Sequence, residues 1–182
     1  MAVGMTFVII NAEIDLSVGS IYGLGAICCG LLMSADVAWP IAALGGIAAG
    51  AAAGFLNGVM TVGFGIPSFI VTLGTLSVYR GVALLLSGGA PISLPSGDPN
   101  VAEFSLLGQG KLFGLVPMQL IIFALVAVVG MIVLSRSRYG FNTYAVGGST
   151  EAARLCGINT GRVRITAFTI SGTMAGLAGV LG

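Results

Sequence analysis

The chain of 182 residues is 57% hydrophobic and only 7% charged, with seven basic and six acidic side chains and no histidine. Its mean hydropathy of +1.08 lies beyond that of ordinary soluble domains of this length, which places the chain in a membrane. A formal net charge of +1 gives no sign of nucleic-acid binding, and three cysteines without a histidine argue against both a zinc site and a disulfide framework.

Taken in order, Met1 to Ile10 is apolar but too short to span, and Val18 to Met33 is again slightly short. Between them lies NAEIDLS, Asn11 to Ser17, with the carboxylates Glu13 and Asp15. Two half-length helices meeting at a polar break would cross a bilayer together, since a span needs about 20 residues. The first span is therefore read as discontinuous over 1–33, broken near 11–17. Asp15 and Ser17 are both suitable N-caps for the second half, whose positive dipole end favours a carboxylate. The alternative is a helix stub followed by a surface loop.

Ser34 to Asp36 reads as a turn, and Trp39 with Pro40 marks an interface and a helix start for a span over 37–62. Along it Gly46, Gly50, Gly54 and Gly58 recur every four residues, a small-residue ladder that lets another helix backbone approach closely. Asn57 adjoins that face and could hydrogen-bond across it. The third span, 66–87, carries Ser68, Thr72, Thr75 and Tyr79 on one face. In lipid such a stripe must face protein or water, unless the hydroxyls satisfy their own backbone carbonyls. Arg80 either snorkels to the headgroups or turns inward. Counting residues along two helices places it at the depth of Asp15, so it is the expected counter-ion of Asp15 or, failing that, of Glu13.

The stretch 88–114, rich in Gly, Pro and Ser, reads as an extramembrane loop, and 115–134 as an uninterrupted span with Gln119 its one strongly polar residue. The segment 135–162 is the only long one that is neither strongly apolar nor short. Gly147 and Gly148 break what precedes, Ser149 is an N-cap, Glu151 lies in the first turn, and Gly157 supplies a left-handed stop. The result is a short helix on which Ala152 and Leu155 share a face, away from Glu151 and Arg154; it either lies on its own protein or docks elsewhere. The last span, 163–182, carries a Gly172/Gly176 pair. Arg136, Arg138, Arg154, Arg162 and Arg164, five of the seven basic residues, flank or fill 135–162, which makes that loop cytoplasmic by the positive-inside bias and 88–114 external. The fold class is thus an all-α polytopic bundle, one domain over 1–182, with a broken first helix.

The run YAVGGSTEAARLCGINTGRVR followed by ISGTMAGLAGVLG, together with EIDLSVGS at 13–20 and GIPSFIVTLGTLSVYRG at 65–81, resembles the permease subunits of bacterial ABC importers for monosaccharides of the ribose, galactose and xylose type. The resemblance covers nearly the whole chain, and it departs at NAEIDLS, where Ala12 and Glu13 stand in place of a frequent glycine pair. It implies that Gly147 to Asn159, and within it Gly147, Gly148, Ser149, Glu151, Ala152, Ala153, Arg154, Leu155, Gly157 and Ile158, form a cytoplasmic coupling helix that docks on an ATPase. It also implies a multi-pass protein of the bacterial cytoplasmic membrane, a second permease subunit, a sugar-binding protein outside, and ATP with Mg held by the ATPase partner rather than by this chain. Family members are longer at both ends, so a fragment is expected, and no basic residues follow Met1 as they would in a cleavable signal. Lys111, the only lysine, is followed by Leu112 and does not make a P-loop. Glu13, Asp15, Ser17, Ser68, Thr72, Thr75, Tyr79 and Arg80 are the candidate translocation path or intramembrane polar network. The competing reading is a self-contained secondary transporter or channel for a small polar solute, with its ion site at Glu13 and Asp15. An intramembrane enzyme lacks any acid, base or nucleophile motif.

Overall fold

The computed structural model describes residues 1–95, 97–112 and 115–182. The apolar runs form α1 (Ala2–Ile10), α2 (Val18–Ser34), α3 (Trp39–Gly63), α4 (Ser68–Leu86), α6 (Met118–Arg136) and α9 (Thr160–Leu181). Between them lie α5 (Pro99–Gln109), α7 (Arg138–Gly148) and α8 (Thr150–Leu155), and a two-residue antiparallel ladder pairs β1 (Lys111–Leu112) with β2 (Val116–Pro117). Helices α3, α4, α6 and α9 are long and apolar enough to cross a membrane, and α2 is a shorter apolar helix. The molecule is an all-α polytopic bundle.

Two helices lie where the sequence reading places none. In 88–114, Asp98 caps α5 by accepting from Asn100 N–H at 2.8 Å, with Pro99 at the first helical position. In 135–162, the eleven residues of α7 start at Ser137, whose hydroxyl accepts from Gly140 N–H at 3.0 Å. The structure that Gly147 and Gly148 break is thus a helix, α7, which ends at Gly148. Helix α3 begins at Trp39 with no cap from Ala38; Asn100 of α5 supplies it, accepting from Trp39 N–H at 2.8 Å and donating to Val37 O at 3.1 Å. Helix α4 starts two residues later than the expected 66, with Pro67 outside it as the N-cap.

Helix α9 fills the centre, packed most extensively on α3 and then on α2 and α1. The close approach is made by glycine on both sides. A Cβ at Gly54 would overlap the Phe168 carbonyl oxygen and lie 3.0 Å from Gly172 Cα. One at Gly50 would lie 2.8 Å from Gly176 Cα, and one at Gly58 would lie 2.8 Å from Ile165 Cα. Gly46 meets Gly25 O and Val180 instead, so the same ladder bridges from α9 to α2. Helix pairs in lipid gain little from hydrophobicity, and dispersion at such short backbone distances replaces it. By contrast α6 sits at the edge, with Gly130 its only buried residue among those described.

A leucine at position 54 is expected to push α3 off α9, lowering the stability of the detergent-solubilised full-length protein by about 1–3 kcal/mol or more. Gly81→Ala is the control, since nothing lies within 4 Å of its Cβ position, and it should stay within about 0.5 kcal/mol. Similar shifts of the unfolding midpoint for the two variants would contradict the close-packed account.

Candidate functional site

The break between α1 and α2 turns sharply at Ala12, which adopts a positive φ of 58°. Its amides find partners one after another: Ala12 N–H donates to Ile9 O at 2.9 Å, Glu13 N–H to Val8 O at 3.1 Å and Ile14 N–H to Ser68 Oγ of α4 at 3.1 Å. Asp15 is not the helix cap the sequence suggests. Its Oδ1 accepts from Ser17 N–H at 3.0 Å and from Ser17 Oγ–H at 2.7 Å, which fixes the residue that starts α2 while Ser17 itself makes no cap bond. The second oxygen, Oδ2, accepts from Ser171 of α9 at 3.3 Å.

From Ser17 a buried chain of polar groups continues. Asn57 Nδ2 donates to Ser17 Oγ at 2.8 Å, and Tyr79 Oη–H is shared between Asn57 Oδ1 at 3.0 Å and Ala53 O at 2.9 Å. Asp15, Ser17, Asn57, Tyr79 and Ser171 all lie within the buried set, so α9, the break, α3 and α4 meet at one buried polar cluster. The hydroxyl stripe of α4 faces this cluster, since Ser68, Thr72, Thr75 and Tyr79 are all buried. Two of its members satisfy their own helix: Thr72 donates to Ser68 O at 2.8 Å, with Ile14 O of the break at 3.3 Å, and Thr75 donates to Thr72 O at 3.4 Å.

The expected counter-ion is corrected. Arg80 is exposed, because Tyr79 turns inward and the next residue on a helix lies about 100° away. Among the described residues the one ion pair is Glu13 with Arg164, Nε to Oε1 at 3.0 Å; it is an ion pair by distance, though its angle falls outside that of a hydrogen bond. The depth count that paired Asp15 with Arg80 assumes a straight helix from residue 1, and the turn at Ala12 invalidates it. Arg164 also donates from Nη2 to Thr150 Oγ1 at 3.2 Å. A sequence signal for it existed, since Arg164 lies inside the span read as 163–182 and a charge inside a span calls for a partner. Ser171 had none; it is one small residue among many.

On the other side of Arg164, α8 is closed at both ends. Ser149 Oγ accepts from Ala152 N–H at 3.2 Å. Gly157, at φ 82°, ends the helix with Gly157 N–H donating to Arg154 O and Ile158 N–H to Ala153 O, each at 3.0 Å, the paired bonds of a Schellman stop. Ala153 and Ile158 pack with Val146 and Val163. Glu151, Ala152, Arg154 and Leu155 are left exposed, Leu155 at 84% of its surface. The Ala152–Leu155 face thus does not rest on its own protein. Helix α7 holds this platform: Tyr139 stacks on Phe7 of α1 with ring centroids 6.1 Å apart. Burial pushes its phenol up to about 12, so it stays neutral and donates to Val163 O at 3.3 Å. Gly147 lies against the Ile10 carbonyl, where a Cβ would overlap it.

The whole chain, residues 1–182, matches the family described as "Branched-chain amino acid transport system / permease component". It is similar to the autoinducer 2 import system permease protein LsrC of Escherichia coli O9:H4 (strain HS), 39% identical over 181 residues that make up 100% of this chain and 51% of the relative. The protein of the same name from Yersinia enterocolitica serotype O:8 is 38% identical over 181 residues, covering 100% of this chain and 49% of the relative. The chain spans about half the length of the curated relatives it matches. No solved structure matches it.

The polar cluster predicts which residues couple energetically. Asp15→Ala and Asn57→Ala each orphan a buried group, about 1–3 kcal/mol apiece. Because both act through Ser17, their double variant should deviate from additivity by about 0.5–3 kcal/mol. Asp15→Ala combined with Arg80→Ala should instead add within about 0.5 kcal/mol. Thermal or denaturant unfolding of the four variants checks both statements.

Proposed function

The chain belongs to the branched-chain amino acid transport system / permease component family, and from that premise we propose that it is the transmembrane permease part of a binding-protein-dependent ABC importer of the bacterial cytoplasmic membrane. In this reading it carries a monosaccharide or a related small polyol or sugar-like solute inward, driven by ATP hydrolysis on cytoplasmic partner subunits that hold the nucleotide and Mg. A second permease subunit completes the path, an external binding protein delivers the solute, and 135–162 is the cytoplasmic coupling segment. Autoinducer 2, the solute in the relatives' names, is the first cargo to test.

One observation carries the reading: a six-residue helix, clamped at both ends and from beneath, holds a leucine 84% exposed. A polar-capped helix that short has no stability of its own, so the fold builds it to be touched by something else. The charge pattern speaks against the secondary transporter. The ion site expected for that reading at Glu13 and Asp15 has its carboxylates engaged within the chain, Glu13 by Arg164 and Asp15 by Ser17 and Ser171.

Leu155→Asp is expected to leave the permease itself folded, because the side chain is 84% exposed. At an ATPase contact it buries an unpaired charge, costing several kcal/mol of association. Expected is a permease that inserts and melts normally but neither retains its ATPase nor drives uptake. Reconstitution of the full-length permease without ATPase gives the complementary test. Accumulation of sugar against its gradient on a sodium or proton gradient alone would overturn the importer assignment in favour of the secondary transporter.

A further inference from the structure

We propose that Arg164 is the positioning residue that ties α8 to the unwound segment 11–17, so that a displacement of α8 is delivered directly to the break in the membrane; this rests on the permease reading above. The guanidinium presents several donors in a rigid fork and can serve two partners at once. Its Nε reaches Glu13, in the middle of the break, and its Nη2 reaches the hydroxyl of Thr150, the first residue of α8. That hydroxyl in turn donates to Val146 O of α7 at 3.2 Å, so it accepts from α9 and donates to α7. Arg164 itself is the fifth residue of α9, the helix at the centre of the bundle.

A second contact runs in parallel. Gly147, in the last turn of α7, lies backbone to backbone against the carbonyl of Ile10, the last residue of α1. No side chain intervenes there to absorb a shift. Movement of the α7–α8 platform is therefore felt at two points, through Ile10 at the start of the break and Glu13 within it. The Arg164–Glu13 pair also borders an open cavity of about 730 Å³ lined by Thr150, Glu151 and Arg154. With space on that side, α8 can move as a body while the core of α3 and α9 stays packed.

The fork matters more than the charge. Arg164→Lys keeps a cation beside Glu13 but cannot hold Thr150 as well, so a purely structural ion pair would survive it and the tie would not. Thr150→Val removes the second arm and leaves the ion pair intact.

The test uses the full-length permease in lipid nanodiscs, with and without its partner ATPase bound, and reads amide hydrogen exchange across residues 12–17 together with solute taken up per ATP hydrolysed. In the wild type, ATPase engagement should change exchange in the break. In Arg164→Lys and Thr150→Val that response and the uptake per ATP should both fall roughly tenfold, within the range that coupling between two sites spans, while ATPase binding persists. The exchanged pair, Glu13→Arg with Arg164→Glu, should recover part of the response that Arg164→Glu alone loses. If ATPase binds and the break responds equally in the wild type and in Thr150→Val, the proposal is overturned and the permease reading stands. If no ATPase binds the wild type, the permease reading fails and the proposal with it. Thr150→Val removes only the two part-buried bonds of one hydroxyl, so it decides the matter even where an Arg164 variant does not fold.

Discussion

The backbone of residues 11–17 leaves the helix between two apolar helices, α1 and α2. Its buried amides and carbonyls need partners outside a regular helix. The partners come from four directions: Val8 and Ile9 behind, Ser68 and Thr72 of α4 to one side, Asp15 within the turn, and Ser171 of α9 through that carboxylate. Such a constellation exists only if α3, α4 and α9 come close. The glycines of α3 and α9 follow from this, because an alanine-sized side chain at Gly50, Gly54 or Gly172 would hold the helices apart and leave the turn at Ala12 unsupported.

What could be read in the sequence was what one helix or one turn decides alone. A glycine every fourth residue from Gly46 to Gly58 is a property of a single surface, and the caps at Ser149 and Gly157 are local to a few residues. Polar residues interrupting an apolar run announce a break without reference to anything else. What could not be read depends on partners far along the chain. Asn100 caps α3 from 61 residues away, and Ser68 reaches Ile14 across 54. Helix α7 escaped notice because Gly140 and Gly147 depress its propensity, yet both are there for contact, with the Leu134 and Ile10 carbonyls. Arg80 misled for a related reason: its position along the helix was right, but its facing depends on Tyr79 being held by Asn57 and Ala53.

Charge is placed sparingly and to different ends. Asp15 is enclosed by hydroxyls and one amide, an arrangement that disperses its charge over fixed dipoles and freezes the turn. Glu13, 9% exposed, meets a guanidinium that is itself 30% exposed, so that pair retains access to solvent and is held less tightly. Two residues apart in sequence, they divide the break into a half bonded to the start of α2 and a half paired with Arg164 beside the platform of α7 and α8.

The central position of α9 bears on how the protein is made. Ser171 meets Asp15 across 156 residues, and Arg164, the partner of Glu13, lies on the same helix. At roughly 5–20 residues per second, the ribosome delivers α9 on the order of ten to thirty seconds after the break has been synthesised. Throughout that interval α1, α2, α3 and α4 exist without the helix that completes their glycine seam, and both acidic side chains of the break lack their partners from α9. The early helices must then wait until α9 arrives and packs against α3, α2 and α1.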